Sequence, residues 1–380
     1  MQKKDLFLVL YSDLRAAGGG IESWLIKFLE NRDILSSDTD HIYILFLNSD
    51  YDIEQKIPFL FKDSEIQFIS IALESKFPLI RGIEYQIKGF KQLQQLITKS
   101  SILISVGTYL ELFLIYRIKK RNIDIKKGYW IRNVLKFLLK TRHTGIFSSI
   151  ILKMEAPLLK SMDFIIANGE DTFNYYRNEY NLNNLYLNKN AVDESKICIN
   201  EHPFENNTIR IGYIGRLVQD KGIDSFLKSI ELYNSKSIEF VIIGSGDMEE
   251  DVKKIGKKMN NVLFYGAVSN QDVYHYLSTL DATVHLTYVD SGGLSNSLLE
   301  SIFSDNLIIC WNTSAFTQIL NDENAILIEH GNVEQLSSTY TKIAADRGFA
   351  LRKIQAAKKL KPGNDMISHM NKFLDIINII

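Results

Sequence analysis

The stretch Ile209–Arg216, IRIGYIGR, decides how this chain is organised. Its apolar positions mark a short buried strand that stops at Gly215, one residue before a cation. It follows a polar segment, NAVDESKICINEHPFENNT (Asn190–Thr208), and so reads as the first strand of a fresh doubly wound unit. Strands are then expected at Glu239–Ile243, Val262–Tyr265, Ala282–Leu286, Leu307–Trp311 and Ala325–Ile328. Between them, helices fit Ile223–Tyr233, Met248–Lys258, Gln271–Thr279, Asn296–Phe303 and Val333–Ala345. Upstream the same alternation gives strands at Leu6–Tyr11, Ile42–Leu47, Ile66–Ile71, Ile102–Val106, Tyr129–Ile131 and Phe164–Ala167. Helices are expected there at Ile21–Glu30, Tyr85–Thr98 and Asp171–Tyr180. Continuous apolar strands alternating with helices predict parallel sheets covered on both faces. The expectation is an α/β protein of two Rossmann-like domains facing across a cleft.

A length of 380 residues suits two domains. The expected division is 1–194, a linker at 195–208, 209–362, and a C-terminal helix within 363–380 that packs back on the first domain. Hydrophobic content of 46% with 23% charged residues is ordinary for a folded soluble protein. Two distant cysteines, Cys198 and Cys310, form neither a disulfide framework nor a metal cluster, which favours a reducing, cytoplasmic setting. The opening MQKKDLFLVLYSD reads as a first strand, its apolar run being too short for a signal peptide. No window is long and apolar enough to span a bilayer. Residues 1–190 hold 26 Lys and Arg against 21 Asp and Glu, and residues 191–380 hold 18 against 24. Tyr116–His143 carries ten cations and one acid, interleaved with aromatic residues. It suits either an anionic membrane surface or a solvated helix face.

Several strand-to-helix turns carry candidate chemistry. AAGGGIESWLIKFLE (Ala16–Glu30) leads three glycines into a helix, where backbone N–H groups could meet an anion or merely turn the chain. GYIGRLVQDKGID places Arg216 and Lys221 just past a strand end, where two cations can neutralise a pyrophosphate or sit exposed. VDSGGLSNSLLE (Val289–Glu300) follows the strand DATVHLTYV with Asp290, Gly292 and Gly293, then Leu294, and then Ser295 or Asn296 as a helix cap. Successive N–H groups there would form an anion nest. Glu300 could accept from vicinal hydroxyls, or be an ordinary helix carboxylate. Glycine turns also follow the strands at Val241 and Phe264.

The order of these pieces resembles the retaining glycosyltransferases of the GT-B fold, the "group 1" family with the E-x7-E motif. The matching elements are G-G-x-E near the N-terminus, N-A-V-D (Asn190–Asp193), G-R-x4-K-G, G-x-G, F-x-G-x-V and G-L-S-N-S-L-L-E. The likeness is specific over about residues 190–345. It implies that Arg216 and Lys221 hold a donor diphosphate and that Glu300 binds ribose hydroxyls. It places the backbone of Gly293–Ser295 near phosphate and sugar, the base near Gly266–Val268, and Gly19 and Gly20 against the diphosphate from the first domain. The first glutamate of the motif is replaced by Gly292, and Asp290, ten residues before Glu300, is the candidate substitute. On the acceptor side the candidates are Glu22, Thr108, Arg132, Asn133 and His143.

The resemblance further implies transfer of a hexose or N-acetylhexosamine with retention, the departing phosphate taking the acceptor proton. Domain closure would exclude water. No metal site is expected, since DTD (Asp38–Asp40) precedes an early strand. No cofactor is expected beyond the nucleotide-sugar, a UDP-sugar being favoured over a GDP-sugar. The acceptor expected is a glycan or lipid-linked glycan for a surface polysaccharide or glycolipid, reached by a peripheral enzyme on the inner membrane face through residues 116–143. Rival readings are a non-catalytic partner subunit of this fold, a sugar-nucleotide epimerase and, more distantly, a nicotinamide oxidoreductase. No nucleic-acid motif accompanies the basic run.

Overall fold

The computed structural model describes residues 3–12, 20–48, 63–97, 100–107, 109–118, 124–141, 145–233, 235–288 and 294–379. The chain divides into two compact units, Met1–Asn190 with Met366–Ile380, and Ala191–Asp290 with Leu294–Asp365.

The first unit holds β1 (Lys4–Val9), β2 (Thr39–Asn48), β3 (Ile66–Ala72), β4 (Ser100–Gly107), β5 (Asp124–Ile131), β6 (Phe164–Ala167) and β7 (Leu185–Leu187). They form one parallel sheet in the order β3-β2-β1-β4-β5-β6-β7. Its helices are α1 (Gly20–Glu30), α2 (Pro78–Leu96), α3 (Tyr109–Arg117), α4 (Leu135–Thr141), α5 (Gly145–Lys160) and α6 (Glu170–Tyr180). Leu6–Val9 and Phe164–Ala167 are buried, as expected of strands covered on both faces. Phe7, Val9, Leu45 and Leu103 pack against Tyr85 and Leu93 of α2, Leu112 and Ile115 of α3, and Leu159 of α5.

β5 is longer than the expected Tyr129–Ile131. Two lysines hid its start, yet Lys127 is buried and its ammonium donates to the carbonyls of Tyr116 and Ile118. The described part of Tyr116–His143 is divided among several elements. Among its described residues, Arg117 stacks over Phe90 at 4.7 Å, Lys127 lies inside and Arg132 is buried. Its described residues include the end of α3, the strand β5 and the helix α4.

The second unit holds β8 (Ile209–Ile214), β9 (Ile238–Ile243), β10 (Val262–Gly266), β11 (Ala282–His285), β12 (Leu307–Trp311) and β13 (Ile326–Ile328). They form a parallel sheet in the order β10-β9-β8-β11-β12-β13. Its helices are α7 (Ile223–Leu232), α8 (Glu249–Lys258), α9 (Asn270–Leu277), α10 (Asn296–Phe303), α11 (Ser314–Thr317), α12 (Val333–Ala345) and α13 (Arg347–Ala357). Residues 195–208, expected as a linker, group with this unit. Asn200 N donates to Ser304 O at 2.9 Å, Phe204 is buried, and Arg347 Nη1 donates to Phe204 O at 2.7 Å.

The last helix, α14 (Met366–Ile379), belongs to the first unit. Its Phe373 ring lies 5.2 Å from both Phe28 and Trp130. Its His369 Nε2 accepts from Trp24 Nε1 at 3.2 Å. Among the described residues, no helix is long and apolar enough to cross a membrane.

Candidate functional site

Strand order locates the site. In the second sheet the winding reverses between β8 and β11, and in open parallel sheets ligands bind outside the carboxyl ends at such a reversal. β8 ends at Ile214, and the chain runs through Gly215 to Arg216 and on to the 3-10 turn Gln219–Lys221. The Tyr213 hydroxyl lies 3.1 Å from the carbonyls of both Arg216 and Lys221, fixing the turn at its two ends. Gly222 has φ +73°, and a Cβ there would collide with the Leu286 carbonyl. Tyr288 N donates to Asp220 O at 3.0 Å, and the Tyr288 hydroxyl meets that of Ser225. The turn carrying Lys221 therefore leans on the segment that leaves β11. Leu217 N donates to Ser245 O at 2.9 Å, and a Cβ on Gly244 would strike the Gly215 carbonyl. That glycine thus serves the close approach of two loops to each other.

Arg216 is exposed and Lys221 half-buried. Burial, and then Arg216, push the Lys221 ammonium below its usual range, while Asp220 partly offsets them. Among the described residues neither cation has an ion-pair partner. His285, at the end of β11, is buried and pushed down to about 3, first by burial and then by Lys221. Its imidazole is therefore neutral at physiological pH, with Nε2 3.1 Å from Thr283 Oγ1. Arg216 and Lys221 place two cations past the end of β8, where an anion could be met.

Beyond β11, Leu294 is buried and Ser295 caps α10, its Oγ accepting from Leu298 N at 3.2 Å. Asn296 and Glu300 are half-buried on that helix. Gly266 has φ +70° with open space where a Cβ would stand, and its carbonyl accepts from Gly244 N at 2.8 Å. Val268 packs against the cluster of Val241, Tyr274 and Leu277, so its side chain is engaged in the core.

In the first sheet the winding reverses between β1 and β4. Gly20 opens α1 and is exposed. Glu22 and Arg132, expected on the acceptor side, are both buried. The Arg132 guanidinium lies 4.3 Å over the Trp24 ring and donates to Asn190 Oδ1 at 3.4 Å. Burial pushes it down to about 9, so it is still charged at neutral pH. This guanidinium is buried within its unit. Asn133 is half-buried after β5. Gly19, Thr108, His143, Asp290, Gly292 and Gly293 lie outside the described residues.

Three residues escaped the sequence reading. Glu111 accepts from Tyr11 N at 2.8 Å through Oε1, joining the start of α3 to the end of β1. Tyr213 and His285 are the others. The available signal was a lone polar group within an apolar run, as in YLELFLIYR and DATVHLTYV.

Two parallel-sheet α/β units of this kind are the architecture of the GT-B glycosyltransferases. Sucrose-phosphate synthase from Thermosynechococcus elongatus superposes with a TM-score of 0.77 at 11% identity, covering 99% of this chain and 98% of that one. HepE of Anabaena, solved with UDP and glucose, gives 0.76 at 13% identity over 100% of both chains. At such identities the likeness shows the fold alone. Residues 195–360, which lie in the second unit, match the family Glycosyl transferases group 1. The capsular polysaccharide biosynthesis glycosyltransferase CapM of Staphylococcus aureus is 25% identical over 174 residues, 44% of this chain and 45% of CapM. An uncharacterised 41.2 kDa protein from the cps region of Klebsiella pneumoniae is 28% identical over 190 residues, 46% and 49% of the two chains. The chain spans less than half the length of these curated relatives in each match.

Proposed function

We propose that this protein is a retaining, metal-independent glycosyltransferase. It moves a hexose or N-acetylhexosamine from a nucleotide-sugar to a glycan or lipid-linked acceptor in the synthesis of a cell-surface polysaccharide or glycolipid. The observation that carries this reading is the cation pair Arg216 and Lys221, without an ion-pair partner among the described residues, at the reversal point of the unit that matches the family. The names of CapM and of the cps-region protein support the polysaccharide context, and the UDP bound by HepE supports a UDP-sugar over a GDP-sugar.

In this mechanism Arg216 grips the donor diphosphate as a fork and Lys221 as a point charge. As the bond from the anomeric carbon to the β-phosphate oxygen breaks, negative charge grows on that oxygen. Cations already in place lower the barrier because they need no reorganisation. The acceptor hydroxyl attacks from the face the phosphate leaves, and its proton passes to the departing phosphate oxygen. Glu300 holds the ribose hydroxyls and the N-terminal turn of α10 from Ser295 supplies N–H groups toward the phosphates. Asp290 takes over the sugar-side role of the missing glutamate, and Asp290→Ala at full activity would refute that assignment.

The test is thermal unfolding of the purified chain with a panel of nucleotide-sugars. A ligand that binds only the folded state must raise the melting temperature. We expect a rise with a UDP-sugar; no rise with any UDP-, GDP- or ADP-sugar would sink the donor reading. Donor hydrolysis or transfer by the chain alone separates this reading from a non-catalytic partner subunit.

A further inference from the structure

α2 is apolar on two sides. Tyr85, Gly89 and Leu93 face the sheet, while Ile80, Ile83 and Ile87 recur at helical spacing on the opposite side. Those three isoleucines are 47%, 53% and 62% exposed, and Phe77 and Leu79 at the helix start are 70% and 66% exposed. The neighbouring helices expose apolar residues too. α3 packs beside α2, with Gln86 Nε2 donating to Leu110 O at 2.8 Å, and α5 packs beside α3. Tyr116 of α3 and Ile150 and Met154 of α5 are exposed as well. Exposed apolar residues that recur at helical spacing on α2 and again on the two helices packed beside it are more than a single surface hydrophobe.

We propose that this helical face is a docking surface for an anionic lipid membrane. Charge complementarity selects that occupant. Lys76, Lys91, Lys153 and Lys160 are exposed on the same helices and the segment entering α2. The acids among them are engaged locally. Glu74 pairs with Lys88 at 2.8 Å, and Glu84 accepts from the N–H groups of Glu74 and Ser75. Isoleucines rimmed by lysines are the composition of an interfacial helix, whereas protein interfaces are depleted in lysine. A second copy of this chain docking by two-fold symmetry would set this basic face against itself. Of the described residues of Tyr116–His143, Tyr116 belongs to this surface.

The test is co-sedimentation of the full chain with vesicles of phosphatidylcholine alone and of equal parts phosphatidylcholine and phosphatidylglycerol. It needs neither donor nor acceptor, so its failure leaves the transfer reading untouched. We expect binding to the anionic vesicles only, weakened by salt, and weakened ~10-fold or more in Ile80→Ser/Ile83→Ser/Ile87→Ser at an unchanged melting temperature. Ile87→Trp should show a blue-shifted emission on adding anionic vesicles, since Trp24, Trp130 and Trp311 are buried and silent to the surface. Absence of anionic-vesicle binding would overturn the proposal. So would equal binding by the triple variant, or a dimer in solution that this variant makes monomeric.

Discussion

Arg132 and Arg216 both follow the carboxyl end of a parallel strand, β5 in the first unit and β8 in the second. Arg132 is buried against Trp24, its charge held by a ring face and an amide oxygen. Arg216 is exposed beside Lys221, with no ion-pair partner for either among the described residues. Glu111 in the first unit is likewise engaged, by the Tyr11 N–H. The same local position serves packing in one unit and leaves charge on offer in the other. Position at a strand end is therefore not enough to mark a site; what matters is whether the fold has already neutralised the group.

That contrast can be broken most directly at the cations. Arg216→Ala and Lys221→Ala should each lower turnover of the preferred donor by ~10²- to 10³-fold. For Arg216→Ala the melting temperature without ligand should stay within about 2 °C, since an exposed group contributes little to stability. Unchanged turnover would remove the distinction between the two arginines. Arg132→Ala should behave oppositely, with stability lower by ~2 kcal/mol in denaturant titration through lost packing on Trp24. The melting shift caused by the donor should persist. Arg132→Met should recover part of the loss, because it refills the apolar site without a buried charge.

pH sharpens the comparison further. His285 titrates at about 3 in the fold and near its ordinary 6.5 when unfolded. Between those values the unfolded chain holds the extra proton, so this residue makes stability fall as pH drops below about 6.5, by at most ~1.4 kcal/mol per unit. Glu155 in the first unit and Asp281 in the second are raised by burial and act with the opposite sign. The curve for native protein minus that for His285→Asn isolates the histidine. A flat difference between pH 6.5 and 4 would show that His285 is protonated in the fold and that the strand end is more cationic than described. The smallest effect concerns the cap of α10. Ser295→Ala should cost about 1 kcal/mol by freeing the Leu298 N–H, measured by denaturant unfolding.

Much of this molecule could be read along the chain. β6, β8, β12, α10 and α12 fall where their apolar runs predict, because a strand buried on both faces or a helix with one buried stripe leaves its period in the letters. The misses have definite causes. β5 extends beyond its apolar letters because buried Lys127 reads as surface in the sequence. α2 starts before the expected Tyr85, at Pro78, because its first turns carry isoleucines that face outward and so show no core stripe. β7, with three half-buried residues, has too little pattern to detect.

The sequence by itself determined the two α/β units, their parallel sheets, and the strand ends that carry Arg216, Lys221 and Glu300, since these follow from hydrophobic period and glycine placement. Only the tertiary structure decided which charged groups are engaged. Arg132 and Lys127 are satisfied by a ring face and by carbonyls from other elements, contacts that no local pattern encodes. The neutrality of His285, the Tyr213 brace and the outward apolar face of α2 are decided in the same way. Burial and partnership depend on neighbours distant in sequence, and they set whether a charge or an apolar side chain is available to a ligand.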